Sequence, residues 1–169
     1  VAEEMLDVLD DLGRVVDVAP RRLVHERGLP HHAVHVLVRD ARGRLLLQLR
    51  SKAKQTSPGL WDTSVGGHVG AGEGLLESAL RETREELGIN VLPGDLLLLP
   101  SHHVDLPGDR EHVTSWELIH TGPFRPDPAE VERVEWFDLE QVRGMVDRGD
   151  CTPHFAVQWN AWLEERMAS

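Results

Sequence analysis

At 169 residues and 40% hydrophobic content, the chain is long enough to bury the core of one soluble globular domain and short for two. Its net charge of −11 repels polyanions, which excludes broad binding to nucleic acid polymers or acidic membranes. No apolar run reaches membrane-span length, the start at Glu3, Glu4 and Asp7 has the wrong sign for a signal peptide, and the lone Cys151 forms no internal disulfide. A single cytoplasmic domain over residues 1–169 is therefore expected, and a small phosphorylated ligand stays admissible if metal ions or arginines meet its charge. With only two lysines, Lys52 and Lys54, phosphate contacts should fall mainly to arginine, whose planar fork suits phosphate oxygens.

No internal repeat, low-complexity tract or linker interrupts the chain. Met5 to Val18 alternates apolar and polar residues on both sides of an Asp-Leu-Gly turn and predicts a hairpin. Pro20 opens a short helix over residues 20–27 that Gly28 stops. Val34–Val38 and Leu45–Leu49 flank Asp-Ala-Arg-Gly and predict a second hairpin. Residues 74–87 are the clearest helix, with Leu76, Ala79, Leu80, Thr83 and Leu87 at helical spacing and Gly88 as its stop. Leu96–Leu99, Thr114–His120 and Val131–Phe137 read as strands. Asp138 with Gln141 forms a capping box for a helix ending near Gly149, and Thr152-Pro153 begins a last helix carrying Trp159, Trp162 and Leu163. The order is that of an α+β fold, a mixed sheet with helices packed on it and a hairpin at its start.

The chemistry concentrates between Gly67 and Ile89. On a helix advancing about 100° per residue, Glu82, Glu85 and Glu86 share an arc of roughly 100° beside the apolar stripe. Carboxylates this close repel one another, and a hard divalent cation such as Mg²⁺ relieves the repulsion. Arg81, four residues from Glu77 and from Glu85, can steady them from the flank. Gly66, Gly67, Gly70, Gly72 and Gly74 form a loop whose backbone carbonyls can approach a metal and whose amides can approach phosphate. A bare Glu-x-x-Glu-Glu is most simply a solvated helix face. The whole spacing points elsewhere: Gly67, five residues, Glu73, seven residues, Arg81-Glu82, two residues, Glu85-Glu86, one residue, Gly88-Ile89. Seven fixed positions at roughly one in fifteen each make a chance match about 10⁻⁸ per starting position.

This pattern resembles the signature of the Nudix hydrolases. Leu45-Leu-Leu-Gln-Leu-Arg50-Ser-Lys and Ser57-Pro-Gly-Leu-Trp61-Asp-Thr-Ser-Val-Gly-Gly-His68 resemble the branch holding isopentenyl diphosphate isomerases and their hydrolase relatives. The resemblance implies a mixed β-sheet sandwiched between helices and water attack on phosphorus in a diphosphate, assisted by one to three divalent cations, Mg²⁺ with Mn²⁺ as a substitute. It implies metal ligation by the Gly67 carbonyl and by Glu82, Glu85 and Glu86. Glu82 is the first candidate base and Glu111 the second, while Glu73 and Arg81 brace the loop against the helix. Thr83 stands where an aliphatic is usual, a small packing compromise.

Gly66 stands where the isomerases keep a catalytic cysteine. Cys151, before a helix far along the chain, reads as a small buried residue, so isomerisation loses one of its two partners and hydrolysis remains. Among the histidines, His25, His31, His32 and His68 resemble the isomerases' second metal site, His31 and His68 best; each taken alone is equally readable as structural. Arg50 and Lys52 are candidate phosphate contacts or solvated edge charges. Trp61 is a core residue or a stacking surface for a base, and His68 a further substrate contact. Specificity is expected in loops 51–60 and 100–113, whose Lys52, Lys54, Gln55, His102, His103, Arg110 and His112 suit a nucleotide better than an apolar tail. The expected activity is Mg²⁺-dependent hydrolysis of nucleoside di- or triphosphates or nucleoside diphosphate derivatives to a nucleoside monophosphate. An isoprenoid isomerase and a non-catalytic nucleotide-binding module are the alternatives.

Overall fold

The computed structural model describes residues 2–168 and begins with the expected hairpin, β1 (Met5–Leu9) against β2 (Val15–Pro20). The Asp10 carboxylate closes its turn by accepting from the backbone N–H of Leu12 and Arg14, both at 2.9 Å. Pro20 leads directly into α1 (Arg21–Arg27), which Gly28 ends in the left-handed region at φ 58°. Leu6, Val8 and Ala19 bury the inner face of the hairpin against Val24 of this helix.

The main sheet is built on β3 (Pro30–Arg39). It lies parallel to β9 (Asp109–Ile119) along its whole length and antiparallel to β6 (Val65–His68) over residues 33–36. β4 (Leu45–Arg50), β5 (Trp61–Asp62), β7 (Leu96–Leu98), β8 (His102–Leu106) and β10 (Val131–Phe137) complete it, with the path β10-β4-β3-β9-β7. The helices are α2 (Leu75–Leu87), α3 (Leu139–Arg148) and α4 (Pro153–Ala168). The expected second hairpin turns at residues 40–43 but is short, because β3 and β4 pair only at Arg39 and Leu45. Beyond that point the Ser64 hydroxyl enters between them, accepting from Val38 N at 2.8 Å and donating to the Leu46 carbonyl, so the strands part and β6 takes the vacated edge of β3. Residues 100–113, expected as a loop, hold the hairpin of β8 and β9, turning at Gly108 with φ 75°.

β3 is buried on both faces, as its near-continuous apolar run requires. Val34, Val36 and Val38 face Ala79 and Leu87 of α2, while Leu37 faces Phe155, Trp159 and Trp162 of α4. α2 is rolled away from the expected stripe. Ser78, Ala79, Thr83 and Leu87 are buried and Leu76 is 37% exposed, so the buried arc includes the side carrying Glu82 and Glu86. The Thr83 hydroxyl donates back to the Ala79 carbonyl at 2.7 Å, which satisfies it inside the core. Among the described residues, no helix is long and apolar enough to cross a membrane.

Candidate active site

Strand β6 meets the glutamate side of α2 with glycine. A Cβ on Gly67 would lie 2.2 Å from the Glu82 carboxyl carbon, so only a bare backbone lets that carboxylate rest against the strand. Glu86 reaches the same strand, its Oε2 accepting from Gly66 N at 3.3 Å and from Gln48 Nε2 at 2.7 Å. Arg81 spans the opposite side. It donates to both oxygens of Glu73 at 2.7 and 3.1 Å, to Glu82 Oε1 at 2.8 Å, to Glu85 Oε2 at 3.2 Å and to the His68 carbonyl at 3.3 Å. Glu77 instead turns back towards Gly74 N.

These contacts divide the carboxylates electrostatically. The Arg81 hydrogen bonds hold Glu73 down at about 2. Burial pushes Glu86 up to about 8, with the Glu82 charge adding to it. Burial also raises Glu82, against the pull of Arg81. Two half-buried carboxylates beside bare backbone, of which Arg81 reaches only Glu82, make an oxygen-donor set short of positive charge, which is what a hard divalent cation takes. Gln48 was missed in the sequence, although a polar residue within the apolar run Leu45–Leu49 was a usable signal.

A second cluster lies on the other face of the sheet, towards α4. His25 from the last turn of α1, His31 from β3 and His68 from β6 bring ring nitrogens within 4.8 Å of one another, and His31 does the same with Asp109 and Glu111 of β9. His31 Nε2 is 3.5 Å from Asp109 Oδ1 and 3.8 Å from Glu111 Oε1, and His68 Nε2 is 3.9 Å from Glu111 Oε1. His31 Nδ1 lies 2.9 Å from the Leu29 carbonyl and His25 Nδ1 3.0 Å from that of Arg21. A proton held at Nδ1 leaves the His31 Nε2 lone pair facing the cluster, whereas the Asp109 carboxylate beside His25 raises that ring. Burial keeps His31 and His68 below the ordinary histidine range, hence neutral, and raises Glu111 to about 7. For Asp109, burial works upward but the hydrogen bond from His154 overrides it and holds the carboxylate ionised. His31 Nε2, His68 Nε2, Asp109 Oδ1 and Glu111 Oε2 are buried without a hydrogen-bond partner. Neutral imidazoles with carboxylates suit a first-row divalent cation such as Mn²⁺ better than the all-oxygen preference of Mg²⁺.

His32 does not join this cluster, because strand alternation turns it to the opposite face beside His112, ring centroids 6.2 Å apart. Asp109 and His154 were not singled out in the sequence. Once β9 is a strand, Asp109 and Glu111 are two residues apart and share a face, a period-two signal concealed by the expectation of a loop.

The remaining predicted residues have other occupations. Arg50 donates to the Thr56 carbonyl at 2.9 and 3.2 Å and lies 3.4 Å from Asp62, fastening the 51–60 loop. Lys52 is exposed on that loop, and Lys54 pairs with Glu130. Trp61 packs edge-on against Phe137 at 4.9 Å with the Arg133 guanidinium 5.4 Å above its ring. A Cβ on Gly66 would meet His35 at 3.2 Å and Thr63 at 3.3 Å, so the strand presents no thiol and little room for one. Cys151 is buried, and burial pushes its thiol up to about 12, far from thiolate chemistry at neutral pH.

The NUDIX domain pattern matches residues 29–155. The chain is 31% identical over 164 residues to an uncharacterised Nudix hydrolase of Yersinia pestis, covering 95% of this chain and 86% of that one. It is 33% identical over 144 residues to a protein of Clavibacter sepedonicus named isopentenyl-diphosphate Delta-isomerase, covering 82% and 76%. A crystal structure from Deinococcus radiodurans superposes with a TM-score of 0.78 at 24% identity, over 94% of this chain and 98% of that one, which speaks for the fold. The chain therefore belongs to the Nudix hydrolases, a family that acts on phosphorus anhydrides in small molecules and generally uses divalent metal ions.

Proposed function

We propose that the protein is a Mg²⁺-dependent hydrolase that cleaves the diphosphate linkage of nucleoside di- or triphosphates, or of nucleoside diphosphate derivatives, to a nucleoside monophosphate, with Mn²⁺ as a substitute ion. The observation that carries this is the pairing of Glu82 and Glu86 with the bare backbone of Gly66 and Gly67, a buried acidic set that the fold builds at electrostatic cost. The Gly67 carbonyl with Glu82, Glu85 and Glu86 would hold Mg²⁺, and His25, His31, His68, Asp109 and Glu111 a second, softer cation. Bound there, divalent ions neutralise phosphate charge and acidify water.

The chain's own residues supply orientation and proton transfer. Arg81 fixes Glu82 and Glu85 relative to each other and ties them to the Glu73 loop. Of the two candidate bases, Glu82 has an oxygen engaged by Arg81, whereas Glu111 keeps Oε2 free of hydrogen bonds and is raised to about 7. Glu111, however, belongs to the second centre on the other face of the sheet, so Glu82 stays the first candidate to accept the proton from attacking water. Steady-state assays with Mg²⁺ should compare ribo- and deoxynucleotides with isopentenyl diphosphate. Monophosphate release from at least one nucleotide class is expected, and no turnover of any nucleotide would refute the proposal.

One second reading has a specific observation behind it. The histidine–carboxylate cluster and the isomerase-named relative favour an isoprenoid diphosphate isomerase. Gly66, closed in by His35 and Thr63, weighs against it, because β6 supplies no thiol at that position. Conversion of isopentenyl to dimethylallyl diphosphate without nucleotide turnover would establish that reading instead.

A further inference from the structure

Asp109 uses its two oxygens differently. Its Oδ2 lies 2.6 Å from His154 Nε2, a short charge-assisted contact, while its Oδ1 is buried, has no hydrogen-bond partner and faces His31 at 3.5 Å. His154 sits in the first turn of α4, whereas the ring donors of the cluster come from α1, β3 and β6. Two residues further back, the Thr152 hydroxyl donates to Asp62 and accepts from Phe155 N, pinning the start of α4 to β5. Phe155, Trp159 and Trp162 of that helix then pack into the core against the sheet. The backbone carrying His154 is thus anchored to the sheet, and the Asp109 carboxylate is tied through His154 to the start of α4.

Resting on the two-centre reading above, we propose that His154 is the positioning residue of the histidine–carboxylate centre: it holds Asp109 Oδ2 so that Oδ1 stays aimed at the cation, and through this bond it couples occupancy of the centre to the seating of α4. Groups that hydrogen-bond a metal-binding side chain in this way fix its direction before the ion arrives. Here the aimed oxygen is already buried and unpaired, so no rearrangement is needed on binding. By linkage, whatever His154 adds to metal affinity the metal returns as stabilisation of the α4 contact.

The test uses the full chain without substrate, in a Glu86→Gln background that removes the α2 centre from the titration. Mn²⁺ binding is followed by loss of the free-ion paramagnetic resonance signal, and α4 protection by amide hydrogen exchange with and without Mn²⁺. His154→Leu should weaken Mn²⁺ binding by about 10–100-fold. It should also abolish the metal-dependent protection of α4. His154→Gln keeps an N–H donor and should recover most of the affinity, whereas His154→Asn, polar but too short to reach Asp109, should not. These comparisons need no turnover, so the hydrolase reading can fail while this one stands. The proposal is overturned if the parent binds no Mn²⁺, if the Leu and Asn variants bind it as the parent does, or if Leu lowers metal-free stability with affinity intact, which would make His154 a plain structural brace.

Discussion

Replacing Glu86 by Gln keeps its shape and removes its charge, and the structure dictates opposite effects on stability and turnover. In the folded, metal-free chain the Glu86 carboxyl is raised from an ordinary 4.5 to about 8. The unfolded carboxyl ionises as pH rises past 4.5, while the folded one stays protonated until about 8. The metal-free fold therefore loses stability across that window at about 1.4 kcal/mol per pH unit, and above it the total cost is on the order of 5 kcal/mol at most. Glu86→Gln removes the titration. Urea denaturation in EDTA should show the variant close to the parent at pH 4.5 and more stable by a few kcal/mol at pH 9. With saturating Mg²⁺, turnover should fall at least about a hundredfold, because stabilisation of the transition-state charge is damaged. A stability difference that does not grow with pH, or near-normal turnover at saturating Mg²⁺, would refute the assignment of Glu86 to the metal centre.

Further outcomes follow from single contacts. Burial raises Glu82 above the ordinary carboxylate range, so the ionised base becomes available only as pH rises and kcat/KM should climb toward alkaline pH; an optimum near pH 5 under saturating metal would contradict its role. Gly67→Ala sets a Cβ 2.2 Å from the Glu82 carboxyl carbon. It should displace Glu82, cost about 1–3 kcal/mol of stability, and lower Mg²⁺ affinity; calorimetry showing parental affinity would remove Glu82 from the centre. Cys151→Ala should leave turnover within about twofold of the parent, since the thiol is buried and pushed up to about 12. Rapid inactivation of the folded parent by iodoacetamide would show that thiol to be reactive.

Much of this protein is written locally. The capping box at Asp138–Gln141 and the hairpin turn at Asp10 depend on side chains bonding backbone within a few residues, and the helix stop at Gly88 on a left-handed glycine whose N–H donates to the Arg84 carbonyl, so local spacing alone predicts them. The Gly67–Ile89 pattern is local too, because one loop and one helix carry it. What only the tertiary structure decided is where strands go and which faces meet. The inserted Ser64 hydroxyl that separates β3 from β4 comes from more than twenty residues along the chain, and no periodicity in Val34–Leu49 announces it. Leu76 matches the helical stripe and is exposed, while Glu86 does not and is half-buried, because the roll of α2 is set by how closely bare glycines on β6 can be approached. The histidine–carboxylate centre gathers His25, His31, His68, Asp109 and Glu111 only because β3 lies parallel to β9, with His31 opposite Glu111, and antiparallel to β6. Strand register is a property of the assembled sheet: each residue type was visible in the chain, and their meeting was not.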